Sequence, residues 1–133
     1  MSENLDLVRS ICADWERGDF TAVKWADPEI EFVFADGPEP GSWEGLAPMA
    51  EAWRKVLSLW ADVHTEVVEH RELDDQRVLV LLSWSGRGKA SGFDLAQAPW
   101  KGANLFHLRD RKVTRLVLYW DRDHAFADLG LKE

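Results

Sequence analysis

Near the start of the chain Leu5, Val8, Cys12 and Trp15 recur at the spacing of one helical stripe, which predicts a helix over residues 5–17 that Gly18 closes in the left-handed region. Asp19 can cap a short second helix over residues 20–26, stopped by Asp27-Pro28 because the residue before proline avoids the helical region. The period then changes. Ile30, Phe32 and Phe34 alternate with Glu29, Glu31 and Val33, the pattern of a strand with one buried face. The stretch "ADGPEPGS" that follows, with two prolines and two glycines, is a loop that returns the chain through a short strand near Trp43.

A third helix follows. In "LAPMAEAWRKVLSLW" the residues Leu46, Met49, Trp53, Val56, Leu57 and Trp60 fall on one stripe, with Pro48 tolerated in the first turn. Residues 63–73, 77–89, 100–109 and 112–120 then read as strands, and the tight links "DDQ" and "DR" imply antiparallel hairpins. A short helix over residues 122–129 ends at Gly130. Helices segregated from a curved, mostly antiparallel sheet define an α+β domain.

Composition narrows the picture. A chain of 133 residues, 46% hydrophobic, has room for one core, so residues 1–133 form a single domain. Acidic residues outnumber basic ones by 24 to 16, a formal charge of -8 that excludes nucleic acid and an anionic membrane as partners. Cys12 is the single cysteine, so no intrachain disulfide forms, and its plain role is that of a small buried hydrophobe. "MSENLDLVRS" lacks the basic start and apolar run of a secretory leader, and the apolar stretch from Val78 to Leu82 is far too short for a membrane span. A cytoplasmic protein is expected. Eight tryptophans are unusual for this length, and each ring suits a core or the wall of a pocket for a flat ligand.

Four landmarks, "WERGDF" after the first helix, "ADPEIEF" entering the first strand, "SWEG" before the third helix and "GANLFHLRDRKVTRLVLYWDRDHAFADLGL" at the end, carry a resemblance over nearly the whole chain. The succession resembles the ketosteroid isomerase and nuclear transport factor 2 superfamily, and within it the SnoaL-like branch. That resemblance implies a cystatin-like cone, with N-terminal helices packed on a curved mixed, mostly antiparallel sheet. It also implies an open end that admits a hydrophobic small molecule, and a convex face that pairs two subunits. It does not fix chemistry, because the same cone serves isomerases, cyclases, dehydratases, epoxide hydrolases and proteins without catalysis.

Carried over from the isomerases, the resemblance puts Ile11 at the oxyanion tyrosine, Phe32 at the aspartate base and Asn104 at the hydrogen-bonding aspartate. A hydrocarbon and a phenyl ring cannot move a proton, so isomerisation by that mechanism is not expected. For the SnoaL cyclases the register puts Leu118 at the last-strand carboxylate and Asn104 at its histidine partner; a slip of two or three residues would make His107 and Asp121 the pair. The epoxide hydrolases' Asp-Arg-Asp set finds Arg87 with Asp36, Asp94 and Asp121, at no assignable spacing.

Strand alternation then sorts the faces. Thr114, Leu116, Leu118 and Trp120 point into the cone with Asn104, Phe106 and Leu108, while Val113, Arg115, Val117, Tyr119 and Asp121 point outward with Leu105 and His107. Asn104 is thus a polar handle in an aromatic pocket bounded by Phe32, Trp53 or Trp60, Phe106, Leu118 and Trp120, with Ile11 nearby. The outward apolar residues call for a twofold dimer through the convex face, or for cover by the loop at residues 91–99. His64, Glu66 and His70 share a strand face, read as solvated surface and not as a metal site. "SGRGKASG" lacks the helix and lysine spacing of a phosphate loop and reads as a glycine-rich strand end carrying Arg87. No cofactor is called for. Three functions remain: binding of a small hydrophobic or aromatic molecule; an isomerase, cyclase or dehydratase using Asp121, Asp36 or His107, of which Asp36 equally suits turn chemistry; and a dimeric interaction module with a filled cone.

Overall fold

The computed structural model describes residues 3–17, 19, 24–36, 40–57, 60–88 and 100–131. The described elements are α1 (Glu3–Glu16), β1 (Ala26–Phe34), β2 (Gly41–Glu44), α2 (Leu46–Leu57), β3 (Trp60–Glu72), β4 (Arg77–Gly88), β5 (Trp100–Arg109), β6 (Lys112–Tyr119) and α3 (Arg122–Leu129). The first helix buries Val8, Ile11, Cys12 and Trp15, the stripe its spacing predicts. The helix expected over residues 20–26 falls largely outside the described residues, and its far end is corrected. Lys24 and Trp25 form a turn and Ala26 opens β1, because the Trp25 carbonyl accepts from the Val113 amide at 2.8 Å and ties the chain to β6. Pro28 therefore lies inside a strand. It is tolerated there because β1 slips its pairing with β6 between Ala26 and Glu31, so the ladder needs no N–H at that point.

The helix stripe of α2 is also trimmed. Gly45, at φ 99°, turns the chain into the helix while its amide donates to the Ile30 carbonyl at 2.8 Å. The helix stops at Leu57, so Trp60 opens β3 and is no part of the stripe; its side chain lies outside those described. Apolar periodicity cannot mark that break, because an inward strand position and a helix stripe both ask for a large hydrophobe.

The six strands form one sheet in the order β2-β1-β6-β5-β4-β3, antiparallel except where β1 runs parallel to β6. The "DR" link between β5 and β6 is a two-residue turn with Asp110 and Arg111 at φ 52° and 63°, the paired left-handed geometry that matches strand twist. Two irregularities change which way side chains point. On β6 a shift opposite His107 and Leu108 turns Val113 inward beside Leu108, correcting its expected outward position, and leaves the Thr114 hydroxyl to donate to the His107 carbonyl at 3.3 Å. On β3 a shift between Val67 and Glu69 turns His70 to the inner face, level with Val80. His70 therefore does not share a face with His64 and Glu66, and the three do not converge on a metal.

Helices α1 and α2 cover the inner face, α1 against β3 and β4 and α2 against β1, β2 and β3, while α3 lies on the other face against β5 and β6. Two apolar clusters result. The inner one joins Val8, Ile11, Cys12 and Trp15 to Phe32, Phe34, Trp84, Phe106, Leu116 and Leu118. The outer one joins Leu79, Leu81, Leu105, Val117 and Tyr119 to Ala125 and Phe126 of α3. Leu105, Val117 and Tyr119 were expected to lie bare on a single subunit; they are only 3%, 3% and 6% exposed, because α3 folds back onto them. Among the described residues no helix is long and apolar enough to cross a membrane.

Candidate functional site

The inner face is built by alternation. Successive inward positions of β4 are Val78, Val80, Leu82 and Trp84; those of β5 include Phe106 and Asn104; those of β6 and β1 are Leu116 with Phe32 and Leu118 with Phe34. Above them Trp53 of α2 is the hub. Its ring centroid stands 5.8 Å from Phe32, 5.8 Å from Trp15, 6.0 Å from Trp84 and 6.4 Å from Phe34, mostly edge to face or tilted. Trp15 continues the wall to Phe106 at 5.9 Å, and Trp25 and Trp43 extend it at either side. Trp120 is partly buried against the same cluster.

Into this apolar wall the sheet sets two polar side chains. Asn104 is 1% exposed and Thr65 7%, the buried polar residues among those described. Asn104 lies between Val80 and Leu118, and its Nδ2 has no hydrogen-bond partner. Thr65 pairs with Trp84, shares its inward face, and its Oγ1 is likewise unpartnered. His70, half-buried beneath α1, leaves Nε2 without a partner; burial, then the charge of Arg9, pushes its pKa down. Cys12, the remaining ionisable side chain in the wall, is inert: burial, then Glu16, pushes the thiol up to about 12.

The acid/base candidates stand elsewhere. Asp121 is the N-cap of α3 and accepts from the Asp123 amide at 3.0 Å. Asp36 accepts from the Trp120 amide at 2.5 Å and lies 2.8 Å from His124 Nδ1, while the other ring nitrogen of His124 stands 3.5 Å from Asp128. Together they clasp the end of β6 to α3. That hydrogen bond to Asp36, with Asp128 beside it, holds the His124 pKa above its ordinary value. Tyr119 donates to Asp128 at 3.2 Å, and burial with that carboxylate pushes its pKa up to about 12. His107 faces outward, level with Arg77 and Arg115, and burial followed by those two charges pushes its pKa down.

Asp121 also borders a depression of about 450 Å³ under α3, lined by Val68, Arg71, Lys101, Arg122 and Phe126. Its cations are matched by Glu69, Asp121 and Asp123, and Arg71 lies 5.4 Å above the Phe126 ring. It is a surface groove between opposite charges on the outer side of the sheet.

The structure thus gathers Ile11, Phe32, Trp53, Asn104, Phe106, Leu118 and Trp120 around the inner face, and puts Asp36, Asp121 and His107 outside it. Trp60 contributes no described side chain, and Arg87 and Asp94 likewise lie outside those described. Thr65, Trp84 and Trp15 belong to the wall without having been singled out for it. Strict alternation along β4 from Val78 would have reached Trp84, and its cross-strand partner is Thr65.

A family model for the SnoaL-like domain matches residues 8–116. No curated protein matches the chain. Among solved structures, TerC crystallised with polyporic acid is 22% identical with a TM-score of 0.75, covering 96% of this chain and 98% of that one. An NTF2-like protein of unknown function from Burkholderia pseudomallei is 18% identical with a TM-score of 0.77, covering 96% and 97%. A candidate polyketide cyclase from Sinorhizobium meliloti is 20% identical with a TM-score of 0.65, covering 85% and 93%. At these identities the likeness is one of fold.

Proposed function

Because the chain belongs to the SnoaL-like domain family, we propose that its inner face receives a small hydrophobic or aromatic molecule, which Asn104 orients. The observation that carries this reading is the Nδ2 of Asn104, buried on the inner face between Val80 and Leu118 without a partner. An orphaned buried donor costs about 1–3 kcal/mol, and a carbonyl or hydroxyl oxygen of a ligand removes that cost. The rings of Trp53, Trp84, Phe34 and Phe106 supply the apolar contacts. TerC, whose fold this chain shares, was crystallised with polyporic acid, so a ring-bearing ligand is within the reach of the fold.

Acid/base catalysis through Asp36, Asp121 or His107 draws less support. Asp121 caps a helix, Asp36 holds a strand end, and His107 faces outward. An interaction module with a filled cone leaves the Asn104 amide unexplained. The reading includes a cytoplasmic setting, in which Cys12 stays a thiol, and a homodimer through the convex face.

Tryptophan fluorescence and melting temperature, followed across polycyclic, terpenoid and acyl compounds together with polyporic acid, test the reading. An oxygenated ring compound is expected to quench the wild type and to bind Asn104→Leu about three- to tenfold more weakly, the equivalent of one hydrogen bond. A panel that changes neither signal defeats the proposal, and chemical conversion of a bound compound, seen by mass spectrometry, favours the enzyme instead.

A further inference from the structure

The groove under α3 lies on the outer side of the sheet and has no part in the inner face. Its volume of about 450 Å³ falls within the range of small-ligand sites, about 300–1,000 Å³. One part of it is apolar. Leu81 and Phe126 belong to the outer cluster, and the β3 side adds Val68, the extra residue of the bulge between Val67 and Glu69. Val68 has no partner in the ladder and is 60% exposed, a hydrophobe left in water beside two others. Arg71 and Glu69 border this part as an ion pair, with the Arg71 guanidinium 5.4 Å above the Phe126 ring, so they neutralise each other.

The other part lies at the start of α3 and is charged. Arg122 is half-buried; its Nη2 donates to the Leu82 carbonyl at 3.1 Å and its Nε to the Gly102 carbonyl at 3.5 Å, which pins the guanidinium on β4 and β5. Lys101, the residue before Gly102, is exposed and shares the outer face of Ala103 two positions on. Asp123 is exposed in the first turn of α3, whereas Asp121 is taken by the Asp123 amide. Among the described residues no ion pair joins Lys101 or Arg122 to Asp121 or Asp123, although all four line the groove. With Arg71 and Glu69 the lining holds three cations and three carboxylates, so its charges sum to zero, and a chain carrying -8 draws no simple anion. A ligand with both charges on neighbouring atoms satisfies both signs at once.

We propose that this groove is a second ligand site, for a free α-amino acid with a large apolar side chain. Lys101 and Arg122 take its carboxylate, Asp123 takes its ammonium, and Val68, Leu81 and Phe126 take its side chain. The site is independent of the inner face, so either reading can fail without the other.

The test titrates the isotope-labelled protein, followed by its amide NMR shifts, with L-phenylalanine and three relatives that each lack one part. 3-Phenylpropanoate lacks the ammonium, phenethylamine the carboxylate and L-alanine the ring. L-Phenylalanine is expected to bind more tightly than either single-charge compound by about two- to fivefold, the equivalent of one exposed ion pair, and more tightly than L-alanine by about tenfold. Lys101→Gln lowers affinity for L-phenylalanine and 3-phenylpropanoate but not for phenethylamine. Asp123→Asn lowers it for L-phenylalanine and phenethylamine but not for 3-phenylpropanoate. Both side chains are exposed, and the melting temperature of each variant reports that it is folded. Equal affinity for L-phenylalanine and 3-phenylpropanoate overturns the zwitterion in favour of a simple anion. No shift at millimolar L-phenylalanine, or an affinity that neither variant changes, overturns the groove as a site.

Discussion

Two histidines on opposite sides of the acid/base question make the same measurement informative in opposite directions. His107, half-buried and flanked by Arg115 and Arg77, has its pKa pushed below 6.5, so the unfolded chain takes up the proton first as pH falls. Its contribution to stability is present above 6.5 and is lost as pH falls through the folded value. His124 is the reverse: with its pKa raised by Asp36, it contributes stability fully present below 6.5 and lost as pH rises through the folded value. Urea unfolding across this range is expected to show His107→Gln flattening the limb below 6.5 and His124→Gln the limb above it. If both variants leave the curve's shape unchanged, the two environments are misread. Which residue types would matter was legible in the sequence; the partners of a histidine were not, since Asp36 and His124 lie 88 positions apart.

At the scale of elements, α3 decides whether Asp121 is a cap or a reagent. Its N-cap accepts from Asp123 and its last turn closes on Gly130 at φ 66°, with the Leu131 amide donating to the Phe126 carbonyl at 2.9 Å. Asp121→Ala is expected to cost about 1 kcal/mol of stability and to leave ligand quenching unchanged, by urea titration and fluorescence. Loss of binding without loss of stability would return Asp121 to the site. This helix was readable from the glycine that ends it, α1 from its helical stripe, and β1 and the two hairpins at "DDQ" and "DR" from strand alternation. The bulges on β3 and β6 were not, because a one-residue slip leaves composition and period almost intact while turning His70 and Val113 to the other face.

For the whole molecule, the apolar argument for a dimer changes form. With α3 covering Leu105, Val117 and Tyr119, the convex face offers instead a row across five strands: Arg77, His107, Arg115, Glu31 and Glu44. One end is basic and the other acidic, so a twofold axis crossing the row sets the basic end of one copy on the acidic end of its partner. Sedimentation is expected to show a dimer at low salt that dissociates toward 1 M, where screening shortens to about 3 Å. A salt-insensitive dimer, or a monomer at low salt, rejects this interface.

The sequence by itself determined the α+β class, nearly every element, and the inward set of Asn104, Phe106, Leu118 and Trp120, because alternation and helical spacing are local and survive without knowledge of neighbours. Only the tertiary structure decided which polar atoms are left unsatisfied and which carboxylates are already engaged. Whether Asn104 or Thr65 finds a partner, and whether Asp36 and Asp121 are spent on backbone amides, depends on what distant segments bring within hydrogen-bond reach.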